Sequence, residues 1–289
     1  MNLTNITEIR ELLSRHGFHF SKSMGQNFLT AAWVPQQIAE EALPDENTGV
    51  LEVGPGIGCL TEQLSLRAGR VLAVELDKAL KPVLRETLAG KDNVEILFGD
   101  VLKQNLPQLV KEKFGGMRAC VCANLPYNVT SPLITAFLEA DCFDTITVMI
   151  QREVARRICA KPNTADYGAF SVLVQWYAEP EILFDVPPSC FIPQPKVTSS
   201  VIRLKTRERP PVEVKDKALF FRVVRAAFGM RRKTLLNALS SNFGEIGKEK
   251  LEEIIVSCGF DAKIRGEVLS IGDFAKIADG IYEENHEIL

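Results

Sequence analysis

Four short apolar runs in this chain end on a glycine or a polar residue: residues 49–53 on Gly54, 70–74 on Glu75, 94–98 on Gly99-Asp100, and 118–123 on Asn124. Helical spacing follows three of them, over residues 59–66, 78–88 and 131–139. Short buried strands that alternate with helices fold into an open, mostly parallel α/β sheet covered by helices. Ligands bind such a sheet beyond the carboxyl ends of its strands, so the four tips should converge on one edge.

The chemistry at each tip narrows the ligand. Gly54-Pro-Gly-Ile-Gly58 is a strand–glycine turn–helix, where a backbone free of Cβ atoms can turn tightly and approach a ligand closely. Its G-x-G-x-G spacing differs from the dinucleotide fingerprint G-x-G-x-x-G, and a structural turn is the alternative reading. Glu75 offers two oxygens to a ribose diol, which suits NAD and S-adenosylmethionine equally. Asp100 by itself is a turn former. Asn124-Leu-Pro-Tyr127 sets a carboxamide, a stiff prolyl peptide and an aromatic ring side by side, a combination suited to a planar base bearing an amino group.

Composition excludes several classes. At 289 residues the chain can hold one large core and a small second domain, and its apolar and charged fractions are those of a globular protein. No apolar run reaches the roughly 18 residues of a membrane span, and residues 1–15 carry charges where a signal peptide would be apolar, so a cytoplasmic protein is expected. The 7 cysteines are odd in number, lie in apolar contexts and form no C-x-x-C pair, which predicts buried free thiols. His16, His19 and His286 are too scattered to suggest a zinc site, and no metal is expected.

The net charge is −3, yet residues 196–233 hold 12 Lys or Arg against Glu208, Glu213 and Asp216. One basic face in a mildly acidic protein suits a phosphate backbone; a solvated helix face is the bland alternative. Residues 181–186 and 197–204 alternate as a closing antiparallel pair, joined by Phe191-Ile-Pro-Gln-Pro-Lys-Val197, which two prolines stiffen. Prolines 210 and 211 mark a boundary, beyond which the periodicity is helical. The expected domains are 1–207 and 208–289, with Arg231, Arg232 and Lys233 in a turn between two helices of the second.

Asn124-Leu125-Pro126-Tyr127 resembles the N-L-P-Y signature of N6-adenine methyltransferases. Together with other segments it resembles, more narrowly, the ribosomal RNA adenine dimethyltransferases of the small-subunit (KsgA) type. Residues 22–29 resemble that family's G-Q-N-F-L segment, residues 151–157 its Q-x-E-V-A-x-R stretch, and residues 191–197 its F-x-P-x-P-x-V segment. Residues 167–172 resemble its Y-G-x-L-S-V segment, with Phe170 in place of leucine.

The resemblance implies a class I, Rossmann-like, S-adenosylmethionine-dependent methyltransferase sheet with a small all-helical C-terminal domain. It puts Gln26, Asn27, Leu29, Gly54, Gly56, Gly58, Glu75, Asp100, Val101 and Asn124 around the methyl donor. It gives the target adenine to Asn124, Leu125, Pro126, Tyr127 and Phe191, with Phe191 facing Tyr127 across the base. Arg231, Arg232 and Lys233 are the expected phosphate contacts. The implied activity is N6-dimethylation of two adjacent adenosines near the 3′ end of small-subunit (16S) rRNA, with a role in subunit maturation. The expected partner is that rRNA or its assembly precursor, met by a monomer with no membrane association.

Two rivals remain open at this level: a large-subunit dimethyltransferase of the antibiotic-resistance type, and an assembly factor that mainly binds. A dehydrogenase is disfavoured, since no His or Lys acid/base lies near the strand tips.

Overall fold

The computed structural model describes residues 1–18 and 26–287. Among these, nine strands are present: β1 (Phe28–Leu29), β2 (Thr48–Val53), β3 (Arg70–Glu75), β4 (Val94–Phe98), β5 (Arg118–Asn124), β6 (Thr145–Gln151), β7 (Ala178–Val186), β8 (Phe191–Ile192) and β9 (Ser199–Thr206). Seven form one sheet in the order β4-β3-β2-β5-β6-β9-β7. The pairs from β4 through β6 are parallel, whereas β9 runs antiparallel to both of its neighbours. The chain lays β2, β3 and β4 outward on one side, then returns to place β5 beside β2. That reversal opens a crevice between the carboxyl ends of β2 and β5, the usual ligand position of an open α/β sheet.

The strand burial follows from this order. All six residues of β2 are buried, as befits an inner parallel strand covered on both faces. β7 is an edge strand, and there Pro180 costs no ladder bond. The expected closing antiparallel pair is present as β7 and β9, with an irregularity between Ile182 and Phe184. β1 and β8 pair separately, Phe28 with Ile192 and Leu29 with Phe191. This two-residue ladder joins two segments that sequence periodicity leaves as loops.

Contacts divide the chain into two compact units, residues 1–155 with 178–206 and residues 156–177 with 207–289. In the first, helices α1 (Ile6–Arg15), α2 (Trp33–Glu41), α3 (Cys59–Ser65), α4 (Lys81–Thr87), α5 (Leu106–Phe114) and α6 (Thr130–Glu139) accompany the sheet. The chain crosses between units within α7 (Arg152–Ile158). The second unit contains α8 (Ala169–Tyr177), α9 (Lys217–Gly229), α10 (Leu235–Ser240), α11 (Lys248–Ser257) and α12 (Ile271–Glu287).

The second unit therefore differs from the expected 208–289. It takes in residues 156–177 because Trp176 packs on Phe220 at 4.4 Å between ring centroids and Tyr167 packs edge-on against Phe228 at 5.6 Å. Tyr167 also donates its buried hydroxyl to the Leu269 carbonyl at 3.0 Å. The apolar character of 167–177 is plain in the sequence; the core it joins is not.

All seven cysteines are free thiols, but only Cys59, Cys120, Cys122 and Cys190 are buried; Cys142, Cys159 and Cys258 are partly exposed. Among the described residues no helix is long and apolar enough to cross a membrane.

Candidate active site

The four tips line one cleft of about 230 Å³ at the carboxyl edge of the sheet. Its floor is the β2–α3 turn, where Gly54, Gly56 and Gly58 take φ values of +68°, +59° and +92°. Those left-handed conformations strain any residue with a Cβ, and a Cβ on Gly56 would also stand 3.1 Å from the Phe28 ring. Gly54 and Gly56 thus keep bare backbone against the cleft, whereas Gly58, expected beside the donor, is not in its lining and lies against Leu88 and Thr87.

Glu75 ends β3 only 6% exposed. Its two oxygens accept from the Asp77 N–H at 2.8 Å and the Gly56 N–H at 3.3 Å, which fixes the carboxylate relative to the glycine turn. Burial raises its pKa, and those backbone N–H groups pull it back. Gln26 donates to Asp77 at 2.8 Å, so the entering chain is tied to the same corner. Asp100 accepts from the Leu102 N–H at 3.0 Å, beside buried Val101, and so is both a turn former and a cleft residue.

The wall opposite is Asn124-Leu-Pro-Tyr127. Asn124, partly buried at the tip of β5, donates its amide to the Asn27 carbonyl at 3.4 Å, which turns its oxygen away from that carbonyl. Leu125 donates its N–H to Met149 on the neighbouring strand at 3.1 Å. The Pro126 carbonyl is occupied by the Val129 N–H at 3.2 Å and the Thr130 hydroxyl at 3.2 Å, whereas the Leu125 carbonyl has no protein donor among the described residues. Tyr127 lines the cleft, and burial raises its phenol pKa.

Gln26, Asn27 and Leu29 all line the cleft; residues 22–25 of the same segment lie outside the described residues. Phe191 stands apart from the other expected site residues. It is 3% exposed, packs in the core of the first unit and is absent from the cleft lining. In the second unit Arg231, Arg232 and Lys233 are exposed in the turn between α9 and α10. Arg231 is committed to Glu267 at 2.9 Å and to the Thr164 carbonyl at 3.3 Å, while Arg232 and Lys233 have no ion-pair partner among the described residues.

One buried group in the cleft was missed in the sequence. Glu52, 1% exposed, carries an Oε2 without a hydrogen-bond partner among the described residues, as does the nearby Thr61 hydroxyl. Burial pushes its pKa up to about 8, and the nearby Glu75 charge adds to the rise. Its signal was a lone carboxylate inside an otherwise apolar strand, residues 49–53. Cys59, whose thiol burial raises to about 12, stays protonated and offers no nucleophile.

The strand order together with this cleft defines a class I methyltransferase. A family model for ribosomal RNA adenine dimethylase matches residues 17–281, and the chain belongs to that family. It is 48% identical over 273 residues to a "Ribosomal RNA small subunit methyltransferase A" of Alkaliphilus oremlandii, covering 94% of this chain and 95% of that one. A protein of the same description from Geobacillus kaustophilus is 46% identical over 276 residues, covering 94% of each. Among solved structures, the 23S rRNA methyltransferase ErmE is similar with a TM-score of 0.67 and 27% identity, over 88% of this chain and 99% of that one. A dimethyladenosine transferase from Plasmodium falciparum shares the fold with a TM-score of 0.73 at 23% identity, over 89% and 98%.

Proposed function

We propose that this protein dimethylates N6 of two adjacent adenosines near the 3′ end of small-subunit rRNA and contributes to maturation of that subunit. The small-subunit substrate rests on the relatives named above. The observation that carries the chemistry is Asn124-Leu-Pro-Tyr127 forming one wall of a cleft whose other wall is built for a nucleoside.

The residues present fit S-adenosylmethionine. Bare glycine backbone lets a ligand approach, Glu75 accepts from ribose hydroxyls, Asp100 from the adenine amino group, and Val101 packs on the ring. Gln26, Asn27 and Leu29 close the same space. When bound, the donor supplies an electrophilic methyl group on a sulfonium.

The protein's own task is the acceptor. The lone pair of an adenine amino nitrogen is delocalised into the ring. The Asn124 oxygen and the Leu125 carbonyl accept its two hydrogens and favour a pyramidal nitrogen whose lone pair can point at the methyl group. Pro126 is not the second acceptor in this reading, since its carbonyl already receives two protein donors. Unstacking the base costs a few kcal/mol. Tyr127 offsets this by stacking, which contributes about 1–3 kcal/mol per base.

Arg232 and Lys233 supply phosphate contacts from the second unit, with Arg231 contributing less through its pairing with Glu267. Changing all three to Ala should weaken binding to small subunits and flatten the dependence of log K on log salt by about 2. The comparison with Arg231→Ala alone, which should move the slope least, is read from filter binding across a salt series. An unchanged slope in the triple variant removes the turn from the interface.

The activity is tested by transfer of labelled methyl from S-adenosylmethionine to small subunits lacking adenine dimethylation, with large subunits in parallel and mapping of the modified nucleotide. Dimethyladenosine in the small subunit alone is the expected result. Label in the large subunit would transfer the assignment to the ErmE-like reading, and tight binding without label would leave a binding factor.

A further inference from the structure

We propose that Ser199 is a positioning residue for the acceptor base, acting through Tyr127; this rests on the methyltransferase reading above. The Tyr127 hydroxyl and Ser199 Oγ are 2.5 Å apart. Ser199 is fully buried and opens β9. Because β9 is antiparallel to its neighbours, its first residue falls at the sheet edge where the parallel strands end. It pairs there with Gln151 at the tip of β6, and with Val186 at the end of β7. A strand that contributes nothing else to the cleft thereby reaches the base-binding wall.

Tyr127 needs such an anchor. It sits in the 3₁₀ turn Tyr127–Val129, outside any strand ladder, and has no ring partner among the described residues once Phe191 lies in the core. The Thr130 hydroxyl holds the turn, donating to the Pro126 and Tyr127 carbonyls at 3.2 and 3.4 Å. The phenol–serine bond is the contact that stops the ring from swinging. Ser199 is itself held rigidly: adjacent Thr198 accepts from the Arg152 N–H at 3.0 Å, and adjacent Ser200 donates to Asp185 at 2.5 Å. A ring held with its face to the cleft binds a flipped adenine at lower ordering cost than a mobile one.

The test compares Ser199→Ala, Tyr127→Phe and the double variant. The assay is methyl transfer to small subunits lacking adenine dimethylation, with S-adenosylmethionine affinity measured by calorimetry. Tyr127→Phe keeps the stacking face and loses only the anchor. Each single variant should lower kcat/KM by about 3- to 10-fold, the scale of one lost hydrogen bond. The double variant should be no worse than either single, and donor affinity should stay at the wild-type value.

Multiplying effects, a matching loss of donor affinity, or wild-type kcat/KM for Tyr127→Phe would each overturn the role. If Ser199→Ala does not fold, Tyr127→Phe alone decides. A wild-type protein that transfers no methyl group overturns the methyltransferase reading itself, whereas an active wild type with an unaffected Tyr127→Phe overturns only the positioning.

Discussion

Asn124→Ala is expected to slow methyl transfer by about 10²–10³-fold while leaving affinity for the small subunit close to that of the wild type. The size follows from removing one preorganised acceptor whose bond strengthens as positive charge develops on the adenine nitrogen. The orientation of the carboxamide is set within the protein, its amide donating to the Asn27 carbonyl at 3.4 Å. The affinity should survive because most of the binding energy for RNA is electrostatic and comes from phosphate contacts elsewhere. Initial rates of labelled methyl transfer, read beside filter binding, separate the two quantities. A rate within about tenfold of wild type would remove Asn124 from the reaction centre.

Glu52→Gln should change the pH dependence of stability more than any other single substitution in the cleft. The folded-state pKa of Glu52 is raised from an ordinary 4.5 to about 8, so the folded protein holds a proton that the unfolded chain has lost. Its stabilising contribution is complete below the unfolded pKa and disappears as pH rises through about 8. The donor-free wild type should therefore lose about 3–5 kcal/mol, relative to the Gln variant, between pH 5 and pH 8. Gln keeps the shape and removes the titration. Urea unfolding of both proteins at several pH values measures the difference, and parallel stability curves would show that Glu52 is not buried as a neutral acid.

Much of the first unit was legible because its signals are local. An apolar run of five or six residues ending at Gly54, Glu75 or Asn124 reports strand, tip and following helix within one short window, and parallel sheets bury such runs on both faces. The tip residues then follow from the sheet's polarity without any knowledge of neighbours. The helices of the second unit beyond Pro211 were similarly legible, the helical periodicity there being matched by α9 to α12.

What failed were statements about which side chains meet. Phe191 was read as a base-stacking ring from its motif, whereas the structure packs it in the core of the first unit and outside the cleft lining. Residues 167–177 were apolar in any reading, and only Phe220 and Phe228, some 50 residues later, decide which core they fill. Arg231 looked equivalent to Arg232 and Lys233 until Glu267 claimed it.

By itself, then, the sequence determined the class of sheet, the edge that carries the site and the residues at its strand tips, because periodicity and turn chemistry act over a few residues. The tertiary structure alone decided that the Pro126 carbonyl is taken and the Leu125 carbonyl is not, that Phe191 is core, and that Ser199 reaches Tyr127 across 72 positions. Those outcomes depend on strand order, direction and register, which are settled by long-range packing and leave no mark in any single stretch of the chain.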